Sequence, residues 1–150
     1  MTNERTRQGF TLVEIMAVVV IMGLLAGLVG AAVIGNLNQA RTQTASAQIK
    51  QLASALTFYQ MDNGRFPTTD QGLQSLVEKP SGAPEPRNYR PGGYLDAKNV
   101  PKDPWGATYQ YLSPGQQNPQ SFDIWTLGAD GTPGGEGADQ DVGNWDTATQ

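Results

Sequence analysis

The residues best suited to chemistry lie near the C-terminus, in the glycine-rich stretch GADGTPGGEGADQDVGNWD at positions 128–146. Its acidic residues are Asp130, Glu136, Asp139, Asp141 and Asp146, and no Lys or Arg follows Lys102. Carboxylates held close together repel one another, and a divalent cation converts that repulsion into oxygen contacts. The stretch therefore predicts a calcium site. The alternative is a solvated acidic tail, because Asp-Gly and Gly-Gly are also ordinary turn sequences.

Composition narrows the chemistry further. The chain contains no Cys and no His, which removes disulfides, thiolate nucleophiles, His general bases and Cys or His metal sites. The spacing from Asp130 to Asp141 resembles an EF-hand loop, but it fails as one. Thr132 and Gly134 occupy places that take Asp or Asn in that loop, Asp141 is too short to replace its bidentate Glu, and no helix is predicted to follow. The net charge is −4 and no basic cluster is present, so nucleic acid is not expected as a partner.

An enzyme is a second possible class. A membrane-tethered glycosidase would need two carboxylates in a walled cleft, one of them with a raised pKa. Acids spread along a glycine loop are poorly placed for that purpose, and the chain has no G-x-S-x-G turn. We therefore expect no enzymatic activity.

The N-terminal segment contains an unusual acid. Residues Ile15 to Ile34 carry no charge and no proline, and about 20 apolar residues in a helix span a bilayer core. Glu14 stands at the start of this run, and a carboxylate inside the membrane costs on the order of 2.5–3.5 kcal/mol, so we expect it to have a partner. Arg5 and Arg7 favour a cytoplasmic N-terminus and a domain on the far side. A cleaved secretory signal and a buried core helix are the alternatives.

The remaining pattern predicts how these segments are held. We expect one helix from about Thr11 to Asp62, whose second half packs through an apolar stripe at spacings of three and four. The stripe consists of Ala45, Ile49, Leu52, Leu56 and Tyr59. A shorter helix of two or three turns is predicted over 68–80, then an irregular packed loop over 80–106. Alternation predicts strands at 108–112 and 121–127, joined by a hairpin loop at 113–120. The predicted fold class is α+β, a long helix packed on a small antiparallel sheet.

Several motifs resemble a known family. The sequence QGFTLVEIM resembles the processing motif of type IV prepilins, and NGRFPTTDQGLQSLVEKP, PKDPWGATYQY and LGADG with GGEGADQDVGNW are similar to the major pseudopilins of type II secretion systems. The resemblance implies a type IV pilin-like fold with a leader at 1–9, a transmembrane and polymerisation helix at 10–35, and a periplasmic globular domain at 36–150. It also implies that prepilin peptidase cleaves after Gly9 and methylates Phe10. Glu14 would then meet the freed amino group of Phe10 in a neighbouring subunit.

The same resemblance implies a structural function. The protein would span the bacterial inner membrane once, in contact with lipid before assembly, and polymerise with copies of itself into a periplasmic pseudopilus that drives folded proteins across the outer membrane. Its other implied partners are minor pseudopilins, an inner-membrane assembly platform and a secretion ATPase.

For calcium, the resemblance implies side-chain ligands from Asp130, Asp139 and Asp141 and backbone oxygens around Leu127 and Thr132. A surface type IV pilin is the alternative within the wider class. Such pilins commonly close a C-terminal loop with a disulfide, which this chain cannot form because it has no Cys.

Overall fold

The computed structural model describes residues 9–146, except for the side chains of residues 28–33. The first eight residues of the predicted leader therefore lie outside the described range. The chain divides into two compact units, with the boundary between Leu37 and Asn38. Each unit is described by itself below.

The predicted long helix is confirmed. Helix α1 runs from Leu12 to Asn63 over 52 residues, within one residue of the predicted bounds at each end. Its C-terminal end is fixed by Asn63, whose Nδ2 donates to the Tyr59 carbonyl at 2.9 Å and to the Tyr94 hydroxyl at 2.9 Å. Gly64 follows with φ of +75°, a left-handed conformation that commonly terminates helices.

In the N-terminal unit the large apolar side chains are exposed in the isolated chain, from Phe10 at 84% down to Val18 and Leu37 at 49%. Among the residues that the structure describes, no helix is both long enough and apolar enough to cross a bilayer. The membrane span predicted for residues 10–35 is not confirmed by this structure.

The second half of α1 supplies the core of the C-terminal unit. The five residues of the predicted stripe are fully buried, which confirms the amphipathic pattern. The side chains packed around this stripe come from a short 3₁₀-helix, the loops and the sheet, and they are Leu73, Leu76, Leu95, Tyr109, Phe122, Ile124 and Val142. Burial of a Leu or Ile side chain contributes about 1.5–3 kcal/mol, so this layer holds the unit together.

The sheet has three antiparallel strands in the order β1-β2-β3. Strand β1 is Gln110–Leu112, β2 is Asp123–Thr126 and β3 is Val142–Gly143. Tyr111 pairs with Ile124 across β1 and β2, and Trp125 pairs with Gly143 across β2 and β3. The two predicted strands are confirmed in shorter form. The prediction missed β3, because a two-residue strand containing glycine shows no alternation.

The helix predicted over 68–80 is wrong in type and length. Within this segment the structure has one 3₁₀-helix, Leu73–Leu76, preceded by a turn in which the Gly72 N–H donates to the Thr68 carbonyl at 3.0 Å. Gly72 has φ of +59° and ψ of −171°, which is not helical, so no helix continues through it. The chain from Pro80 to Gly106 is irregular but anchored by buried side chains such as Leu95 and Asp103, as the sequence predicted.

Candidate functional site

Two segments carry the residues predicted to be functional, and the first is the N-terminal end of α1. Thr11 precedes the helix, and Glu14 lies in its first turn. One oxygen of the Glu14 carboxylate accepts the Thr11 N–H at 2.9 Å and the Thr11 hydroxyl at 3.0 Å. The Glu14 N–H donates back to the Thr11 Oγ1 at 3.3 Å. This reciprocal pair is a capping box, which satisfies backbone donors at a helix start.

Glu14 thus has a partner within its own chain. The capping box marks the start of α1 at Leu12, and Gly9 and Phe10 lie outside the helix. The sequence analysis predicted a partner for Glu14 but did not identify Thr11. The T-x-x-E spacing of a capping box is nevertheless present in the sequence as Thr-Leu-Val-Glu.

Gly9 and Phe10 lie in exposed, non-helical backbone. A Cβ added at Gly9 would meet no atom of residues 9–146 within 4 Å, and the φ of Gly9 is not in the left-handed region. The described residues therefore do not require glycine at position 9.

The second segment is the acidic loop, residues 127–141, which folds back on itself. The Ala129 N–H donates to the Ala138 carbonyl at 3.0 Å, and the Asp139 N–H donates to the Glu136 carbonyl at 3.2 Å. Gly128 and Gly135 both pack on Asp139, since a Cβ at either position would come within 2.5–2.6 Å of its main-chain atoms. Both glycines also have positive φ, +68° and +87°. The backbone of Asp139 therefore approaches both positions too closely for any residue other than glycine.

Asp130 is held by Thr132. Its two carboxylate oxygens accept the Thr132 N–H at 3.0 Å and the Thr132 hydroxyl at 2.7 Å. These hydrogen bonds stabilise the ionised form and lower the pKa of Asp130 below its ordinary value. Asp130 is therefore ionised at neutral pH. Both of its carboxylate oxygens accept hydrogen bonds from Thr132, the residue whose main-chain oxygen is also a predicted calcium ligand.

Asp141 has an oxygen without a partner. Its Oδ2 accepts the Gly134 N–H at 2.9 Å, whereas its Oδ1 is shielded from solvent and has no hydrogen-bond partner among the described residues. Burial of a carboxylate oxygen without a hydrogen-bond partner costs free energy, and such an oxygen is a preferred ligand for a hard cation. This atom fits the chemistry of a calcium ligand.

The remaining predicted ligands are Leu127 and Asp139. Leu127 is half-buried at the start of the loop, and the Asp139 residue is exposed. Within residues 9–146, no group of three or more Asp, Glu, His or Cys side chains is close enough together to hold a metal ion. A calcium site here would therefore need main-chain oxygens beside the carboxylates.

Comparison with known proteins identifies the family. Residues 32–145 match the sequence model of the family described as type II secretion system protein G, and residues 5–30 match that of the prokaryotic N-terminal methylation motif. The first match covers more than two thirds of the chain. The chain belongs to the type II secretion system protein G family.

Relatives in this family are similar over almost their whole length. The type II secretion system core protein G of Vibrio cholerae serotype O1 is 54% identical over 97% of this chain and 96% of its own length. The corresponding protein of Pseudomonas aeruginosa is 51% identical over 96% of this chain and 99% of its own. These relatives are named as core proteins of a secretion system and not as enzymes.

A solved structure supports the fold. The crystal structure of the major pseudopilin from the type 2 secretion system of enterohaemorrhagic Escherichia coli matches with a TM-score of 0.65 and 46% identity. The match covers 75% of this chain and 93% of that one. The pseudopilin fold predicted from the sequence is confirmed.

Two further acids accept several hydrogen bonds inside the C-terminal unit, and the sequence did not predict this role for either of them. Asp103 and Asp123 are buried at 5% and 2% exposure. Asp103 accepts hydrogen bonds from the Trp105 N–H at 3.0 Å, the Ala107 N–H at 2.7 Å and the Thr126 hydroxyl. The Asp-Pro-Trp-Gly sequence signals a turn, but nothing in it shows that the acid is buried.

Proposed function

We infer that this chain is the structural subunit that polymerises into the periplasmic pseudopilus of a type II secretion system and drives the export of folded proteins across the outer membrane. The observation that carries this inference is the match to core protein G relatives over nearly the full length of both chains. The fold shared with a major pseudopilin supports it independently.

The N-terminal methylation motif supports processing by prepilin peptidase. Cleavage would break the peptide bond between Gly9 and Phe10, release residues 1–9 and leave a new α-amino group on Phe10 for methylation. The exposed, non-helical backbone at Gly9 suits a peptidase that must reach the main chain. Because no described residue contacts the position of a Cβ there, we attribute the glycine to recognition by the peptidase.

The test compares secretion in a strain that lacks this protein with strains that express variants. We expect a normally exported hydrolase to accumulate in the periplasm of the deletion strain, and export to return with the full chain but not with Gly9→Val. Gly82→Val is the matched control, since Gly82 also has open space around it and no positive φ. Normal export in the deletion strain, with lost surface fibres or motility, would instead indicate a type IV pilin.

For the membrane and assembly steps, we propose that residues 10–35 anchor the protein in the inner membrane, in lipid before assembly and against neighbouring helices afterwards. The globular domain then lies in the periplasm. The Phe10 amino group of a neighbouring subunit would draw Glu14 away from Thr11 and neutralise it, because a carboxylate in an apolar filament core needs a positive partner. Minor pseudopilins, an inner-membrane platform and a secretion ATPase complete the set of proposed partners.

We also propose that Ca²⁺ binds the acidic loop, with Asp130, Asp139 and Asp141 as side-chain ligands and main-chain oxygens near Leu127 and Thr132. The unpaired Oδ1 of Asp141 supports this proposal. Calcium would supply structural rather than catalytic chemistry, by ordering the loop beside β3. At about 100 times the dissociation constant, a bound ion stabilises the folded state by about 2.7 kcal/mol.

The calcium test is thermal unfolding of the full chain in detergent, with Ca²⁺, with Mg²⁺ and with a chelator. We expect a higher Tm in Ca²⁺ alone, and a change in tryptophan fluorescence because Trp145 lies four residues beyond Asp141. Asp141→Asn should abolish both responses. Asp96→Asn, which removes an exposed acid elsewhere, should keep them. Identical unfolding curves with Ca²⁺ and with chelator would overturn the proposal.

A further inference from the structure

Arg90 is held at the surface by three contacts. Its Nη2 lies 3.2 Å from Asp62 Oδ2, and its guanidinium carbon stands 5.8 Å from the ring centre of Phe58 and 5.2 Å from that of Tyr94. Nevertheless 49% of the Arg90 side chain is exposed. A guanidinium has five donors, so one ion pair leaves most of them available to a partner.

Exposed apolar side chains surround this arginine. Phe58 is 49% exposed and Met61 is 73% exposed, and their spacing of three places them on one face of α1. We call Phe58, Met61, Asp62, Arg90 and Tyr94 the Arg90 surface. Arginine, aromatic residues and methionine are the types enriched in protein interfaces. A side chain that is already held in place also loses less entropy on binding.

The charges of the C-terminal unit are divided along the chain. Residues 38–102 contain eight basic and five acidic residues, whereas residues 103–150 contain seven acidic residues and no basic one. Two of these acids, Asp103 and Asp123, are buried and bonded internally. The exposed acids of residues 103–150 therefore have no basic residue in their own segment, whereas residues 38–102 carry an excess of basic residues. Copies of this unit can attract one another through such an acid and an exposed basic side chain.

Within the acidic loop, Glu136 is the residue best suited to an external cation. Its side chain is exposed and makes no hydrogen bond or ion pair with the described residues, although its carbonyl accepts the Asp139 N–H. Asp130 and Asp141 are engaged by Thr132 and Gly134. Calcium binding as proposed above does not use Glu136.

We propose that the Arg90 surface of one subunit docks on the acidic loop of a second copy, with Arg90 opposite Glu136. The two surfaces are different parts of the same chain, so the contact is head-to-tail. Such a contact does not close on itself and generates a filament when the rotation leaves it open. This inference rests on the proposed function, because it names residues through which pseudopilus subunits recognise each other.

The test is charge reversal with rescue, measured as filament assembly and as secretion of the exported hydrolase. We expect Arg90→Glu and Glu136→Arg each to lower both readouts roughly 10-fold or more, since like charges then meet at every subunit contact. The double variant should restore both readouts. Lys79→Glu is the matched control: Lys79 is exposed and outside both surfaces, so it should assemble normally and should not rescue Glu136→Arg.

A second measurement uses the absence of cysteine from the native chain. Oxidation of filaments that carry both Met61→Cys and Glu136→Cys should produce a ladder of disulfide-linked oligomers, whereas Gln74→Cys with Glu136→Cys should not. Thermal unfolding checks that each variant is folded. If Arg90→Glu is destabilised through its loss of Asp62, the Glu136→Arg variant carries the test, since it breaks no described side-chain contact.

Normal assembly of both single reversals, or a missing ladder in intact filaments, would overturn this inference and leave the proposed function standing. Failure of the unmodified chain to form filaments or support secretion would instead overturn the proposed function itself.

Discussion

Replacing Asp123 with alanine is the sharpest test of how this fold organises its loops. The Asp123 carboxylate accepts four hydrogen bonds from the hairpin loop between β1 and β2. The donors are the N–H of Gln116 at 2.6 Å, of Gln117 at 2.8 Å and of Asn118 at 3.1 Å, and the Asn118 side-chain amide at 2.8 Å. Gly115 also packs against it, since a Cβ there would stand 2.5 Å from Asp123 Oδ1.

The magnitude follows from what the substitution leaves behind. Asp123→Ala removes the acceptor for three main-chain donors and one amide in a site where the carboxylate itself is 2% exposed. Each buried donor left without an acceptor costs about 1–3 kcal/mol, and hydrogen bonds to a charged group are worth more than neutral ones. The loop can open partly to water, so we expect a total loss of about 3–5 kcal/mol. That is a large share of the roughly 5–15 kcal/mol typical of a domain.

The assay is chemical and thermal unfolding of the full chain, with Asp70→Ala as the control. Asp70 is an exposed acid, so its removal changes the net charge equally without breaking a described hydrogen bond. Asp123→Asn should fall between the two, because it keeps one acceptor oxygen and turns the other into a donor that faces N–H groups. If Asp123→Ala unfolds within about 0.5 kcal/mol of Asp70→Ala, the carboxylate does not organise the loop and the reasoning is refuted.

Three further predictions follow from single side chains. Burial raises the pKa of Tyr111 from about 10 to about 12, so the fold favours the neutral phenol. The contribution of this phenol to stability is full below pH 10 and is lost as the pH rises to about 12. Alkaline titration of unfolding should show this loss in the native chain and less of it in Tyr111→Phe. Gly143→Ala should lower stability by about 1–3 kcal/mol and alter the near-ultraviolet circular dichroism, because a Cβ there would come within 2.4 Å of the Trp145 ring. Thr11→Ala should reduce helix content in the N-terminal unit and cost about 0.5–2 kcal/mol, since it removes the capping partner of Glu14; unchanged helicity by circular dichroism would contradict the capping role.

The long helix and its buried face were predictable because both depend on local periodicity. A stripe with spacings of three and four, uninterrupted by Gly or Pro until Gly64, has few alternatives to an amphipathic helix. Alternation also located the strand that contains Ile124, although its burial does not alternate, because Asp123 is buried beside Phe122 and Ile124. Patterns of this kind carry the fold class because burial of one face provides most of the stabilisation.

The features that the sequence did not reveal depend on contacts between distant residues. The extra strand β3 is held partly by Asn144, whose N–H donates to the Ile124 carbonyl and whose side chain accepts the Ile124 N–H, both at 3.0 Å. No local sequence pattern shows that the Asn144 side chain takes the place of a strand residue in this pair of hydrogen bonds. The 3₁₀-helix after Gly72 was predicted as a longer helix over 68–80, because the conformation of that glycine, and not the apolar periodicity, sets where the helix begins.

The acids that follow Lys102 show how far charge counting alone can mislead. The sequence presents them as one uncompensated group, but most have found N–H or O–H donors. Asp103 and Asp123 are buried with hydrogen bonds from main-chain amides, Asp130 is satisfied by its own turn, and Asp146 accepts the Gly143 N–H at 2.8 Å. Asp141 differs, because one of its oxygens is shielded and unpaired among the described residues. The need for a cation therefore rests on one carboxylate oxygen and not on the net charge, and Asp141→Asn is the substitution that isolates it.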